Sequence, residues 1–123
     1  MNNLVEGICP PNLTSLGERS FQHSMNMRFC VIPSGVKVAS SYTFYRDISG
    51  VRTRSLWFPT TPPTINSNTL RNRDGNTIYV PDASVADYKA AQYWSSYASS
   101  IYGFSQLAID YPDYYERYIH IYD

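Results

Sequence analysis

Apolar residues gather along the chain in short runs rather than in long stripes. Three β-prone runs each end in proline: Cys30-Val31-Ile32-Pro33, Leu56-Trp57-Phe58-Pro59 and Ile78-Tyr79-Val80-Pro81. From one proline to the next the shift is 26 and then 22, and each proline would end ladder pairing because it lacks an N–H. A second pattern lies between these runs. Leu13 to Phe21 aligns with Val36 to Phe44 at a shift of 23, with apolar residues at the first, fourth and ninth positions. Ile65 to Leu70 is a weaker third copy, its ends aligned with Ala39 and Phe44 at a shift of 26. Self-similarity at such intervals predicts stacked supersecondary units that bury one another's apolar faces.

A strand turns successive side chains to opposite faces. Aligned on their prolines, the runs stack Cys30, Leu56 and Ile78 in one column and Ile32, Phe58 and Val80 in another. Both are apolar and are expected to point inward, leaving Val31, Trp57 and Tyr79 as a solvent-facing column. Downstream, Asp82 or Ser84 can cap a helix that presents Val85 and Tyr88 on one face. Trp94, Tyr97, Ala98 and Ile101 have the spacing of a second short amphipathic helix. These helices are expected to close the stack over Ile78 and Val80, since a repeat array needs an atypical element over its last layer. Gln106 to Asp123 is a tail carrying Tyr111, Tyr114, Tyr115, Tyr118 and Tyr122. Pro112 divides it, Tyr118 to Tyr122 alternates like a strand, and the whole either docks on a partner or folds back over the cap.

These strings resemble the BspA-type leucine-rich repeats found in many copies on surface proteins of gut and oral bacteria. The likeness covers about residues 12 to 105. Its most specific block is Ile78 to Pro81 with Ser84-Val85, Tyr88-Lys89 and Trp94-Ser95-Ser96-Tyr97-Ala98, which in the family closes the array. Arg28-Phe29-Cys30 departs from the pattern, standing where the family carries a Leu-rich strand. The resemblance implies an α/β repeat: a short leucine-rich-repeat solenoid of short parallel strands, closed by a small C-terminal helical cap. The expected divisions are an N-terminal extension at 1–11, repeats at 12–81, the cap at 82–105 and the Tyr-rich tail at 106–123. No cap is visible before the first repeat, where Cys9-Pro10-Pro11 reads as turn or extended chain. That end is expected to be open, either continuing a longer array or burying its layer against a partner or a second copy.

Composition narrows the reading. A chain of 123 residues supports one core, and that core is modest, because Leu, Ile, Val and Phe number only 27 while tyrosine supplies 12. Ten basic side chains balance ten acidic ones, against a nucleic-acid partner, which would call for a positive excess. Residues 28 to 73 hold seven cations against one anion, and residues 74 to 123 hold two against seven. This segregation reads either as solvated surface charge or as a field that steers docking. No run reaches the roughly 20 apolar residues of a membrane helix, and the first residues lack the regions of a secretory signal.

Candidate chemistry is sparse. His23 and His120 stand alone, without metal-site spacing, and read as structural. Cys30 falls in the inward column as a small hydrophobe, and pairing with Cys9 is left open. No GxGxxG, P-loop or GxSxG motif is present. The chain is therefore expected to have no catalytic residues, no metal and no cofactor. Binding has more support: Arg28, Val31, Arg54, Trp57 and Tyr79 are the expected contact residues, since aromatic and arginine side chains are enriched at interface hot spots and suit sugar rings and carboxylates. The same residues also fit an ordinary half-covered sheet. The resemblance implies a non-enzymatic protein- or glycan-binding module at the cell surface or outside the cell. The competing expectation, from a Met1 start without export signal and the Tyr-rich tail, is a small bacteriophage virion or tail protein.

Overall fold

The computed structural model describes residues 6–16, 29–39, 53–67, 69 and 76–123. Strands β1 (Glu6–Ile8), β3 (Phe29–Ile32), β5 (Thr53–Trp57), β6 (Asn76–Val80) and β7 (Ile101–Gly103) form one sheet in the order β1-β3-β5-β6-β7. Every pairing in it is parallel. A second parallel pair, β2 (Ser15–Leu16) with β4 (Val38–Ala39), is extended by a bridge from Val38 to Thr64. A 3-10 turn at Asp82–Ser84, helix α1 (Val85–Ala90) and a 3-10 segment at Trp94–Ser100 lead into β7, and helices α2 (Phe104–Asp110) and α3 (Pro112–Tyr118) follow it. The molecule is thus α/β, with short parallel strands and short C-terminal helices.

Register partners in the large sheet run Gly7, Cys30, Ser55, Ile78 and Ile101, with shifts in residue number of 23, 25, 23 and 23. The small ladder pairs Leu16 with Ala39 and places Val38 beside Thr64. Continued by one position, that register sets Ala39 beside Ile65, so the shifts of 23 and 26 seen in the sequence coincide with the backbone pairing. Leu16, Ala39 and Ile65 are all buried in one cluster.

The proline ruler, by contrast, misplaces the middle strand. The Phe58 N–H donates to the Ile32 carbonyl at 3.0 Å, so Phe58 lies level with Pro33 and Pro59 falls one position beyond it. Leu56 then pairs with Val31 and Tyr79, while Ser55 takes the place between Cys30 and Ile78. A slip of one position moves every side chain of a strand to the other face. Leu56 therefore leaves the Cys30/Ile78 column, and Trp57, expected in water, is fully buried with Ile32 and Val80.

The inner cluster joins Cys30, Ile32, Trp57, Ile78, Val80 and Ile101 to Leu16, Val36, Tyr88 and Trp94. Trp94 meets Trp57 and Tyr88 edge-on, both with ring centroids 4.9 Å apart. The polar atoms of these side chains are satisfied. Trp57 Nε1–H donates to Ser55 Oγ (2.8 Å), which explains a serine in an apolar column. Trp94 Nε1–H donates to the Pro63 carbonyl (2.8 Å), Tyr88 Oη–H to Pro59 (2.7 Å) and Ser84 Oγ–H to Thr60 (2.9 Å). The expected caps are not used: Ser84 is turned to Thr60, and Asp82 accepts from the Ser105 N–H (3.0 Å). A Cβ at Gly103 would collide with that carboxylate.

The outer face is covered as well. Val31, Leu56 and Tyr79 are buried under Phe104, Leu107 and Tyr118, with Phe58, Tyr111, Tyr114 and Tyr122 packed around them. The tail folds back over the sheet rather than projecting from it. Its second part is helix α3 followed by turns, not the alternating strand expected over Tyr118 to Tyr122, because the tyrosines at 111, 114, 115 and 118 follow helical spacing once the chain lies on the sheet. At its end the Tyr122 hydroxyl donates to the Cys9 carbonyl (2.8 Å) and lies 3.1 Å from that of Val31. Parallel strands covered on both faces read as continuous apolar runs rather than alternating ones. This is why Val31, Trp57 and Tyr79 do not form a solvent-facing column.

Removing residues 106 to 123 strips Leu107, Tyr118 and Tyr122 from the sheet. Burial of a large apolar side chain contributes about 1.5–3 kcal/mol, against a total stability of about 5–15 kcal/mol for a domain. The shortened chain is expected to lose its cooperative thermal transition, whereas Tyr122→Phe keeps it and loses about 1 kcal/mol. Circular dichroism melts check both, and an unchanged midpoint after truncation would contradict a tail packed into the core.

Candidate functional site

The five expected contact residues do not form one surface. Arg28 lies outside the described residues. Val31 and Tyr79 share the outer face of the sheet but are buried beneath the tail, and Trp57 belongs to the inner cluster on the opposite face. Arg54 is half-buried. Strand β5 pairs Arg54 with Thr77, and further along β6 Tyr79 pairs with Tyr102 of β7. Arg54 and Tyr79 therefore do come together, at a cleft of about 490 Å³ where the tail leaves the sheet uncovered.

The sheet forms one wall of this cleft with Arg54, Thr77, Tyr79 and Tyr102; the tail forms the other with Gln106, Asp110 and Tyr111. Asp110 organises the floor. Its Oδ2 accepts from the Tyr79 hydroxyl (3.1 Å) and its Oδ1 from Gln106 Nε2–H (2.9 Å), one helical turn away. The Arg54 guanidinium lies 5.1 Å from the centre of the Tyr111 ring, within the range of a cation–π contact. The Tyr79 and Tyr102 rings are 6.2 Å apart, and Tyr102 is 40% exposed. Burial holds the Tyr79 phenol far above the ordinary tyrosine range, and the Asp110 carboxylate, as acceptor and as negative charge, pushes it further. Tyr79 is thus a neutral donor at neutral pH. The arrangement offers a flat aromatic face with fixed donors and acceptors around it.

Sequence reasoning missed Tyr102, Gln106, Asp110 and Tyr111. A signal for the first is present: Ile101-Tyr102-Gly103 repeats Ile78-Tyr79-Val80 at a shift of 23, but the helical spacing of Trp94, Tyr97, Ala98 and Ile101 masks it. The other three have none, since their role depends on how the tail folds back. A second groove, of about 430 Å³, runs between the 34–37 and 59–64 segments, with Lys37, Thr60 and Thr64 at its rim and Pro59 and Pro63 below. It contains no aromatic side chain among the described residues.

Among the described residues, no group of three or more His, Cys, Asp or Glu is placed to hold a metal ion. His120 Nδ1 is 2.6 Å from Asp123 Oδ2 at the exposed C-terminal end, a surface pair of small energetic weight. Cys9 and Cys30 are both buried and are not joined in a disulfide, and burial pushes the Cys9 thiol up to about 11. No helix among the described residues is long and apolar enough to cross a membrane. No family model matches the chain, and no curated protein matches it.

Burial raises Tyr88 in the same way as Tyr79, and it raises Tyr122 with a smaller contribution from Cys9. A phenol whose folded-state pKa is raised stays protonated after the unfolded chain has ionised near pH of about 10. Stability is therefore full below that point and falls above it, by up to about 1.4 kcal/mol per pH unit for each buried phenol. Urea midpoints measured from about pH 9 to about pH 11 are expected to drop steeply, with a shallower slope in Tyr88→Phe. A flat profile would mean that these phenols reach water.

Proposed function

We propose that the chain is a short leucine-rich-repeat-type solenoid that acts as a non-enzymatic binding module, taking a protein or glycan ligand at the cleft between Arg54, Tyr102 and Asp110. The periodic register supports the solenoid reading: from strand to strand the shift is 23 or 25, inside the range of about 20–29 that leucine-rich repeats span. A companion ladder, Ser15 to Val38 to Thr64, keeps a similar step of 23 and then 26. The half-exposed Tyr102 carries the binding reading. Its ring lines the same cleft as the hydrogen-bonded Tyr79–Asp110 pair and keeps part of its surface in water, which leaves an aromatic face open to a ligand.

A cell-surface or extracellular setting follows from the resemblance and belongs to the same proposal. The outer edge of β1 carries no strand among the described residues, and Ile8 is 44% exposed there. That supports docking of a further strand at this end, from a longer array or a second copy.

Tyr102→Ala and Asp110→Asn change exposed side chains and are expected to leave the fold intact. On an array of purified matrix proteins and polysaccharides, both should weaken whatever the parent chain captures by about tenfold or more, a loss of about 1.4 kcal/mol. Lys37→Ala, in the other groove, should bind as the parent does. Equal capture by all four proteins would place binding elsewhere on the molecule.

A further inference from the structure

We propose that this cleft selects an uncharged pyranose, seated with its C–H face on Tyr102 and its hydroxyls directed to Asp110, Gln106 and Arg54. The inference rests on the reading of the cleft as the binding site and adds the class of ligand.

Charge comes first. Among the described residues of the lining, Arg54 and Asp110 carry charge, and formally they cancel. A phosphate, a sulfate or a uronic acid would gain from the guanidinium and meet the carboxylate in the same small space. Burying a charge beside one of like sign is unfavourable, so ionic ligands gain little here. Hydroxyl chemistry fits better. A sugar hydroxyl both donates and accepts, and the lining offers both functions: the Asp110 oxygens and the Gln106 carboxamide oxygen accept, while Thr77 and the multi-donor guanidinium of Arg54 donate.

Asp110 is already oriented for this task. Each of its oxygens accepts one hydrogen bond from within the protein, from the Tyr79 hydroxyl and from Gln106 Nε2–H. A carboxylate oxygen has two lone pairs, so each keeps capacity for a ligand hydroxyl. The side chain does not have to be ordered on binding, which removes part of the entropic cost of association. The Tyr102 ring is supported from one side by Tyr79 at 6.2 Å and open to water on another. A partly wet aromatic face suits the apolar face of a sugar ring, whose C–H groups are hydrophobic while its rim is polar. The volume, about 490 Å³, falls within the range of small-ligand sites, about 300–1,000 Å³. The Pro/Thr groove has comparable size but lacks an aromatic platform, which makes it an internal control.

The test is an amide chemical-shift titration of the isotope-labelled full chain. The probes are methyl β-glucoside, methyl β-galactoside and N-acetylglucosamine as neutral sugars, and glucuronic acid and N-acetylneuraminic acid as acidic ones. At least one neutral sugar is expected to shift the amides of Thr77, Tyr102, Gln106 and Asp110 saturably and leave those of Lys37 and Thr60 unmoved. Tyr102→Ala should weaken that sugar by about tenfold. Tyr102→Phe, which keeps the ring and removes only the hydroxyl, should bind nearly as the parent does and so excludes a folding artefact. Saturable shifts at these residues by the acidic sugars alone would overturn the neutral class while keeping the cleft as a binding site. Should no sugar move them while Tyr102→Ala still abolishes capture of a matrix protein, the sugar assignment falls and the cleft survives as a protein site. Should no sugar move them and array capture also be indifferent to Tyr102→Ala, both the class and the site are overturned.

Discussion

All-parallel sheets occur almost always with both faces covered, because apolar side chains project from each face of their strands. In this molecule the described residues cover one face with segments that lie between the strands and the other with the C-terminal tail. The inner cover comes from the repeated segments around Leu16, Ala39 and Ile65, with α1 and Trp94 completing it. The outer cover is a single piece, Phe104 to Tyr122, laid on Val31, Leu56 and Tyr79. With so few aliphatic residues, the tail's tyrosines take up the work of the second layer. A buried tyrosine suits this only if its hydroxyl finds a partner or reaches water. Tyr79 reaches Asp110, Tyr88 reaches the Pro59 carbonyl, and Tyr122 reaches the carbonyls of Cys9 and Val31.

Those hydroxyl bonds also set the shape of the loops. The segment from Pro59 to Pro63 contains three prolines and so has few N–H groups with which to hold itself. Its carbonyls are instead bound from below by Tyr88, Ser84 and Trp94. Trp94 is central because it fills the volume beside Trp57 and donates to Pro63 at the same time. The residue before it, Tyr93, has φ of 67°, in the left-handed region, the local strain accepted to turn the indole inward. Satisfying buried polar groups and filling the core are one problem in this chain, solved by the same side chains.

Periodicity makes much of this legible. The match between the segments at Leu13 and Val36, and the weaker one at Ile65, locates the small ladder, because Leu16, Ala39 and Ile65 are apolar residues that point one way in every turn. The large sheet is only partly legible. Proline is an imperfect marker of strand ends: Pro59 sits one position beyond the level of Pro33, and that offset exchanges the faces of Leu56 and Trp57. Three adjacent apolar residues carry no information about which face is wet, so elimination alone puts Val31, Trp57 and Tyr79 in solvent. The runs at Glu6-Gly7-Ile8 and Ile101-Tyr102-Gly103 are too short and too glycine-rich to stand out, and they form strands because a paired neighbour is already in place. The cleft is the least legible feature, since half of it comes from a tail whose docking is a tertiary event.

That division has a thermodynamic consequence. Arg54, Thr77, Tyr79 and Tyr102 are fixed by strand pairing, whereas Gln106, Asp110 and Tyr111 are in place only while the tail lies on the sheet. Any ligand that touches both walls favours the docked tail, and by reciprocity anything that loosens the tail weakens the ligand. The apparent dissociation constant is the intrinsic one divided by the docked fraction. Tyr122 anchors the far end of the tail at Cys9 and Val31, away from the cleft, yet it acts on the same equilibrium. The burial of the tail's Phe104, Leu107 and Tyr118 against the sheet strongly favours the docked state, so the cleft keeps its shape without a ligand. The apolar contacts that complete the second layer of the sheet are thus the same contacts that preorganise its polar cleft.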